Sequence, residues 1–411
     1  MSSRLKVGPG HLLRLLCILL AISCTSPLFA ADPPQGEGTE VWLVTYGPGE
    51  IYWQRFGHNA IWVRDAGLGL DHVFNFGFFD FQQQNFFLRF LQGRMLYFSA
   101  ARLAREEFAD YINENRRIRA QRLDLSPQQK LQMIEYLLEE VRPENRDYLY
   151  DYYDNNCSTR VRDVIDQALG GAMQAEFKAV PGAQNERDHT RRLTADDFWL
   201  YLGLETGLGS PVDRDISRWD EMFIPMELAA AVGSMESAGD GLTRPLVAED
   251  VVLYESSLRP PPETTRNWWP RYLLASIAVV FLAWGLCRYR PPGLARVLSR
   301  SWLVFSGLLG IGMLLLWFGT DHQVARLNMN VLVFSPVWIL LAFWKGHEKT
   351  TLQIITAVSL LSLLMNVIPP QQYTLDVLAA FLPLNMAAAY GLLRSRTPLA
   401  GQPGAPGAKG R

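Results

Sequence analysis

Residues 56–64 read FGHNAIWVR, and this stretch sets the kind of fold that the first half of the chain adopts. Gly57 favours a turn, and the β-branched and aromatic residues that follow His58 are typical of a buried strand. The stretch 67–71, with two glycines, then predicts a short connection to a returning strand. By the same criteria we expect further strands at 40–46, 72–77, 94–101 and 117–125. Strands joined by short turns predict an antiparallel sheet.

Three helices are expected beside this sheet, at 127–141, from Cys157 to Gly170, and from Thr194 to Glu205. The first begins with Ser-Pro-Gln-Gln, in which serine caps the helix, proline takes the first helical position and glutamine completes a capping box. The second ends at paired glycines, which commonly terminate helices. Antiparallel strands with separate helices predict an α+β domain over residues 32–256.

The second half of the chain is apolar enough for a membrane domain. Pro336 interrupts one of its apolar stretches, and Trp268 and Trp269 suit the aromatic belt at a membrane surface. We therefore expect a transmembrane α bundle of five helices over 268–393, joined to the first domain by a linker at 257–267. Each helix approaches the length that crosses about 30 Å of hydrocarbon: 271–287, 302–319, 329–344, 351–368 and 374–393.

Charge placement predicts the orientation of this bundle. The loop 288–301 carries four arginines and the loop 345–350 carries two lysines, whereas the loops 320–328 and 369–373 carry one arginine between them. Positive residues favour the cytoplasmic side, so we expect the first domain in the periplasm and the tail 394–411 as a disordered cytoplasmic segment. The protein is then a multi-pass protein of the bacterial inner membrane.

The N-terminus has the features of an export signal over residues 1–31. Arg4, Lys6 and Arg14 precede an apolar run, and Ala30-Ala31 offers a cleavage site. Cleavage before Cys24, as in a lipoprotein, and an uncleaved anchor are the alternatives. Export of the first domain agrees with the orientation that the loop charges predict.

Composition narrows the function classes. The formal net charge is −2 and no basic cluster is visible, which argues against a nucleic-acid partner. The sequence contains no metal-binding or nucleotide-binding motif, so we expect no cofactor. Of four cysteines only Cys157 lies in the exported domain, where an unpaired cysteine is unusual. An inert buried thiol is the alternative to a reactive one.

Cys157 lies at the start of its helix and on the apolar face of that helix. It precedes by four residues an apolar stripe with helical spacing, so its sulfur is expected to point inward. Free N–H groups and the positive end of the helix dipole predict a lowered thiol pKa. The N–H groups of Cys157 and Ser158 are candidates to hold an oxyanion. The stripe consists of Val161, Val164, Ile165, Ala168 and Leu169.

A thiol nucleophile needs a base, and the exported domain offers three histidines. His58 opens a strand directly after a glycine and can face the start of the Cys157 helix, so we expect it to be the base. His72 is interpreted as a surface residue of a hairpin. His189 lies in the polar run 184–192 and is expected to be solvated.

Three motifs in the first half resemble a known family: residues Phe56–Val63, Val73–Phe81 and Tyr153–Arg160. Their sequence and order resemble the N-terminal periplasmic domain of the Lnb-type lipoprotein N-acyltransferases. The second half, with Thr320-Asp321-His322 and Asn328-x-Asn330, looks like the membrane domain that accompanies it. The order of histidine before cysteine also resembles permuted papain-like (NlpC-like) thiol enzymes, among them lecithin:retinol acyltransferase.

The resemblance implies a papain-like fold for the first domain and roles for three residues. Cys157 would be the nucleophile and His58 the general base. A third polar residue would orient the imidazole. Asn75 is favoured for this role, because its strand should neighbour that of His58; His72 and Asp80 are the alternatives.

Four further residues are expected to bind substrate: Asn156, Ser158, Arg160 and His322. Arg160 can meet a lipid phosphate, although a solvated helix face is the alternative. His322 lies in a predicted outer loop, where ordinary helix capping is the alternative. The segment 74–90 contains eight phenylalanines, which suit either a core or a surface for acyl chains.

The leading hypothesis is transfer of an acyl chain from a phospholipid, through a thioester on Cys157, to the N-terminal amine of a lipoprotein. The lipoprotein acceptor is implied by the resemblance alone. A periplasmic cysteine peptidase or amidase acting on cell-wall peptides is the alternative, with the same two residues. A sensor or assembly protein without catalysis is a third reading, against which the joint presence of Cys157 and His58 argues.

Overall fold

A sheet of seven strands forms the centre of the first half of the chain. Its strands are antiparallel, as the short turns between the predicted strands indicated. The computed structural model describes residues 38–67, 69–239, 242–288, 292–366 and 372–395. The predicted signal peptide and nearly all of the predicted tail lie outside these ranges. The sheet order is β6-β4-β3-β2-β1-β5-β9, and β7 and β8 form a separate hairpin. The strands are β1 Thr39–Tyr46, β2 His58–Asp65, β3 Leu70–Phe78, β4 Leu96–Leu103, β5 Ile118–Leu123, β6 Asp147–Leu149, β7 Glu236–Gly239, β8 Leu242–Pro245 and β9 Val247–Tyr254.

Nine helices are described in the first half, between β3 and β7. The predicted start at Ser126 is confirmed, because its side chain accepts from the N–H of Gln129 and the Gln129 side chain accepts from the N–H of Ser126. The helices are α1 Phe86–Gln92, α2 Ala104–Asn113, α3 Pro127–Glu140, α4 Cys157–Ala168, α5 Ala172–Phe177, α6 Glu186–Thr194, α7 Phe198–Gly207, α8 Arg218–Glu221 and α9 Pro225–Ser234.

Each face of the sheet carries its own packing partner, because successive residues of a strand point to opposite faces. On β2, Ile61 and Val63 face the core that α4 covers, and Val161 and Ile165 of α4 are fully buried there. Ala60 and Trp62 alternate with them and face a second core, to which Phe108 of α2 belongs. The apolar stripe predicted after Cys157 is therefore the buried face of α4.

Two expectations about the segment 184–205 are wrong. Thr194 does not cap a helix; it ends α6, and the side chain of Asp197 caps α7 by accepting from two backbone N–H groups. His189 is not solvated, because its Nε2 atom lies 2.9 Å from Oε1 of the buried Glu221. A locally polar sequence predicts exposure to solvent. The prediction failed because the charged side chains of α6 pair with residues that are distant in the chain.

The second half is helical, with α10 Trp269–Arg288, α11 Pro292–Gly319, α12 Val337–Phe343, α13 Glu348–Leu364 and α14 Leu375–Arg394. Among the described residues, three helices rather than five are long and apolar enough to cross a membrane, namely α10, α11 and α14. The third predicted span is interrupted, since a short 3-10 turn, Met329–Leu332, precedes α12. The fourth, α13, has 17 residues.

The two halves meet at the loops that the charge pattern assigns to the outer side. The amide of Asn328 donates to the carbonyls of Thr206 and Gly207, and that of Asn330 donates to the carbonyl of Glu205. These carbonyls belong to the last turn of α7, which has no intrahelical donors for them. The outer-loop asparagines thus cap a helix of the first half.

Candidate active site

Cys157 occupies the first position of α4, and its N-cap is unusually complete. The Asn156 side chain accepts from the N–H groups of Ser158 and Thr159, at 2.9 Å each. The Thr159 hydroxyl in turn accepts from the N–H of Asn156 at 2.8 Å. This capping box fixes the first turn of the helix and therefore the position of the sulfur.

The environment of the sulfur opposes the predicted lowering of the thiol pKa. Burial raises the pKa of Cys157 above its ordinary value, although the backbone N–H groups of Asn59 and Ser158 act in the lowering direction. Loss of solvation outweighs the helix N-terminus, because an anion loses more from leaving water than these amides return. In the free protein the expectation of a lowered pKa is thus wrong, and the thiol is protonated at neutral pH.

The His58 ring is hydrogen-bonded to Asn75. This residue was the favoured candidate because its strand was expected to lie beside the strand of His58. Nε2 of His58 lies 2.9 Å from Oδ1 of Asn75, and the Asn75 amide donates to the carbonyl of Val73. The Asn75 oxygen accepts, so Nε2 carries the proton and Nδ1 keeps its lone pair.

The two alternatives to Asn75 lie elsewhere. His72 is an odd number of residues from Asn75 on the same strand, so its side chain points to the opposite face of the sheet. Asp80 is exposed in the turn after β3, where it accepts from the N–H of Gln82.

Aromatic rings surround the imidazole on the α2 face of the sheet. The His58 ring stacks on Tyr46 at a centroid distance of 5.8 Å, and Tyr111 of α2 stacks on the same Tyr46 at 3.5 Å. Burial lowers the pKa of His58 to about 4, which the bond to Asn75 only partly offsets. His58 is therefore neutral at pH 7 and able to accept a proton.

Cys157 opens α4, which covers one face of the sheet, and the His58 ring lies with Tyr46 on the other face, at the end where β2 begins. Asn59, the residue after His58, faces α4 and lies within hydrogen-bond distance of the Ser158 hydroxyl, at 2.9 Å. The backbone N–H of Asn59 donates a hydrogen bond to the Cys157 sulfur. Among the hydrogen bonds of the described residues, none joins the His58 ring to the sulfur directly.

Gly77 borders the Cys157 side chain. It has a φ of +100°, and a Cβ built on it would lie 3.5 Å from the Cβ of Cys157. The pairing of β2 with β3 ends at Ala60 and Asn75, and the pairing of β3 with β4 has an irregular register between Phe76 and Phe78, where this glycine lies. The pKa of Tyr111, on the His58 face, is raised mainly by burial and in smaller part by the charge of Cys157. Because Gly77 has no side chain, it leaves room beside the Cys157 side chain.

Sequence reasoning missed four residues around this pair. The Tyr46 hydroxyl donates to the buried Glu107 at 3.1 Å, and the Arg116 guanidinium lies 4.6 Å from the Tyr111 ring. Burial has the largest effect on both pKa values, lowering that of His58 and raising that of Cys157. The positive charge of Arg116 makes a smaller contribution that lowers both. Tyr46 ends β1 and the others come from α2 and the loop after it, and nothing local in the sequence connects them with His58.

Three of the expected substrate-binding side chains have partners inside the protein. The Asn156 amide donates to the carbonyls of Tyr152 and Phe223. The fully buried Ser158 hydroxyl lies 2.6 Å from the carbonyl of Met222. Arg160 pairs with Glu140 at 2.9 Å and covers the ring of Tyr148. Asn156 and Ser158 build the start of α4, and their roles toward a substrate stay predictions, like that of Arg160.

His322 connects the membrane half to the region of the thiol. Its Nε2 donates to the carbonyl of Phe90 at 2.9 Å, and its ring stacks on Tyr152 at 6.3 Å. Tyr152 lies five residues before Cys157 in the loop that leads into α4. Within the described ranges, no cluster of three or more His, Cys, Asp or Glu side chains is arranged to hold a metal ion.

Comparison with known proteins identifies both halves of the chain. The model of the Lnb N-terminal periplasmic domain matches residues 36–195, and the model of the Lnb transmembrane domain matches residues 263–397. Searches of curated proteins and of solved structures each found no significant match. The two matches cover well over half of the chain, point to a membrane-associated periplasmic enzyme, and confirm the resemblance seen in the motifs. The chain belongs to the Lnb family, whose members combine a periplasmic domain with a transmembrane domain.

Proposed function

We propose that this protein is a cysteine-dependent acyltransferase of the bacterial inner membrane. It moves an acyl chain from a phospholipid to the N-terminal amine of a lipoprotein. One observation carries the proposal: the Cys157 thiol, at the capped start of α4, lies against the backbone N–H of the residue that follows His58. Family membership and three long apolar helices support the membrane location.

The first half-reaction cleaves the phospholipid ester. His58 Nδ1 takes the thiol proton, and the thiolate attacks the ester carbonyl carbon. The negative charge passes to the carbonyl oxygen, where the N–H of Cys157, at the open start of α4, is a suitable donor. The carbon–oxygen bond then breaks, and the leaving alkoxide takes the proton from His58 and departs as a lysophospholipid. The step needs the sulfur and Nδ1 to meet beside Gly77.

The second half-reaction forms an amide. The N-terminal amine of a lipoprotein attacks the thioester carbonyl, His58 accepts a proton from that amine, and the Cys157 thiolate leaves. Reprotonation of the thiolate by His58 restores the starting state. No oxidant, reductant or cofactor is required, because one ester bond is exchanged for one amide bond.

The resting protonation states suit an apolar substrate. Burial raises the pKa of Cys157 and lowers that of His58, so both groups are neutral at pH 7. A neutral pair has no charge to desolvate when an acyl chain displaces water from the site. Donor and acceptor lipids share one bilayer with the enzyme, which raises their effective concentration.

A trapped thioester tests this proposal. We would reconstitute the full-length protein in phospholipid vesicles with a synthetic diacylglyceryl-cysteine lipopeptide and follow intact protein mass and lipopeptide N-acylation. We expect one hydroxylamine-sensitive acyl adduct on Cys157, and loss of at least about 10³-fold in N-acylation in Cys157→Ala. Cys287→Ala, which removes the cysteine of a membrane helix, is the control and should retain activity.

Two outcomes would reject the proposal. N-acylation that persists in Cys157→Ala, with no other acyltransferase present, removes the nucleophile. Labelling of Cys157 by a peptide-like electrophile, without any acyl adduct from phospholipid, favours a thiol peptidase or amidase instead.

A further inference from the structure

The short helix α1 exposes an apolar surface that a water-facing helix would bury. None of its residues is buried, and Phe87 and Leu91 are 76% and 63% exposed. Leu88 and Phe90 continue the same surface. A contiguous apolar patch of this kind marks a surface that contacts something other than water.

The position of α1 indicates what that contact is. The N–H of Asp321 donates to the carbonyl of Gln92 at 2.8 Å, and His322 Nε2 donates to the carbonyl of Phe90. Asp321 and His322 lie two and three residues after Gly319, the last residue of the membrane helix α11. The end of α1 is thereby tied to the outer end of a membrane helix, so its apolar side chains lie at the depth of the outer leaflet.

The approach between these segments is close enough to require a glycine. Gly93, which ends α1, has a φ of +74°, and a Cβ built on it would lie 2.7 Å from the backbone nitrogen of His322. Any larger residue would push α1 away from the outer end of α11.

A polar cleft of about 230 Å³ lies beside this junction. Arg94, Asp321, Arg326 and the last residues of α11, Phe318 and Gly319, line it. Arg94 pairs with Asp321 at 2.6 Å, whereas the buried Nε of Arg326 has no hydrogen-bond partner within the described part of the chain. Two guanidinium groups and one carboxylate leave a single net positive charge. That charge and the free donors match one phosphodiester anion.

Aromatic rings connect α1 with the thiol. Phe90 lies 6.4 Å from the His322 ring, His322 stacks on Tyr152, and Tyr152 contacts Tyr150 at 6.3 Å. A Cβ on Gly77 would lie 3.8 Å from the Tyr150 ring and 3.5 Å from the Cβ of Cys157. The apolar path from the outer leaflet to the sulfur is therefore continuous.

A second branch closes this path into an aromatic circuit. It runs from Phe86 through the turn after β3 to Tyr97 and returns to Tyr150, which stacks on Tyr97 at 4.3 Å. Neighbouring rings in the circuit lie between 4.3 and 6.4 Å apart. Its members are Phe79, Phe81, Phe86, Phe90, Tyr97, Tyr150, Tyr152 and His322.

We infer that α1, the Arg94–Arg326 cleft and the aromatic circuit form one binding site for a phospholipid of the outer leaflet. The phosphate occupies the cleft, and an acyl chain passes along α1 and the circuit toward Cys157. The inference deepens the proposed function and rests on it for the identity of the donor. The location of the lipid is a separate claim, argued from the junction of the two halves.

Lipid binding is tested separately from acyl transfer, in full-length Cys157→Ala protein, which lacks the proposed nucleophile. The probe is phosphatidylethanolamine with a photoreactive acyl chain, incorporated in phosphatidylethanolamine–phosphatidylglycerol vesicles, and the labelled peptides are mapped by mass spectrometry. We expect labels on α1 and on the segment 148–153. Arg94→Gln with Arg326→Gln should reduce labelling about tenfold or more, since the variant loses the charged donors that hold the phosphate.

Matched controls separate local from general effects. Arg271→Gln removes an exposed arginine near the outer start of α10 and should leave labelling unchanged. Arg326→Gln alone, with a melting temperature equal to that of the parent, should still reduce labelling. Diacylglycerol with the same photoreactive chain lacks the phosphate and should label weakly.

Unchanged labelling in the double arginine variant, or equal labelling by diacylglycerol, would overturn the assignment of the cleft. Labels confined to other membrane helices would overturn the assignment of α1. If the site labels as expected while the wild-type protein forms no thioester, the lipid site stands and the proposed acyl transfer fails.

Discussion

Two groups of polar residues are withdrawn from water in this protein, and they differ in charge. At the candidate site, burial keeps both the Cys157 thiol and the His58 imidazole neutral. At the junction of the two halves, the Arg187 guanidinium keeps its charge beside two carboxyl groups, although burial raises the pKa of Asp213 and raises that of Glu205 to about 7. Arg187 is 1% exposed and pairs with Asp213 at 2.7 Å and with Glu205 at 3.5 Å. Neutral groups can be buried while their lone pairs stay free for chemistry. Buried charges, in contrast, destabilise the folded protein unless opposite charges lie beside them.

The charged group at the junction also ties the first half to the membrane half. Asp213 accepts from the N–H of Tyr373, and Arg191 lies 3.5 Å from Asp376 at the start of α14. The Tyr201 hydroxyl donates to the same Asp376 at 2.7 Å. The charged group therefore contributes stability and domain contact, whereas the neutral group is the one for which we propose reactivity.

The largest effect on stability is expected at Arg187. Arg187→Met leaves the carboxylates of Asp213 and Glu205 without their main partner in a buried setting, which should cost about 3–5 kcal/mol in the free energy of unfolding. Chemical unfolding of the purified protein in detergent measures this cost. Lys178→Met breaks the exposed pair of Lys178 with Asp220 and, as the control, should cost at most about 1 kcal/mol. Equal costs for the two variants would break the comparison.

A smaller effect, on activity rather than stability, is expected at Asn75. Asn75→Ala frees the His58 ring from its acceptor and should lower kcat about 10²-fold, with KM for the phospholipid little changed. Asn75→Asp keeps an acceptor oxygen and should recover part of the activity. Gln121→Ala, which removes another buried amide of the same sheet, is the control and should leave kcat within about twofold. A change confined to KM would argue against a positioning role.

The smallest expected effect is on the reactivity of Cys157 toward an alkylating reagent. It tests whether the candidate site is neutral, in contrast to the charged junction. Because burial raises the pKa of Cys157, its thiolate fraction should grow about tenfold for each pH unit around neutrality. The alkylation rate by iodoacetamide, measured by mass spectrometry in a Cys287→Ala background, should therefore rise about tenfold from pH 7 to pH 8. A rate that is flat between pH 6 and pH 8 would mean that a thiolate already exists at neutral pH and that the resting site is charged.

Local sequence was sufficient for most of the sheet and for α4. β-branched and aromatic residues bounded by turn residues predict β1 and β2, and the cap at Asn156 follows from the polar residues that precede an apolar helical stripe. The same local reasoning failed at α6, where charged residues predict solvent exposure. Their partners, such as Glu221 for His189, come from segments about thirty residues away, which no local pattern reveals.

For the site, the sequence indicated the start of a helix at Cys157 and favoured Asn75 beside His58. It did not indicate the direction of the thiol pKa, the faces of the sheet that the two groups occupy, or the partners Tyr46, Tyr111 and Arg116. Spacing within one helix determines which way a side chain points. Desolvation depends instead on everything packed around that side chain.

The amino-acid sequence by itself determined the strands, the inward stripe of α4, the apolar helices and the family to which the chain belongs, because each depends on neighbours within a few residues or on motif order. The tertiary structure alone decided that burial favours the neutral forms of Cys157 and His58, that Gly77 borders the Cys157 side chain, and that α1 is tied to the loop after α11. These properties depend on burial and on contacts between residues up to about two hundred positions apart, where only folding brings the groups together.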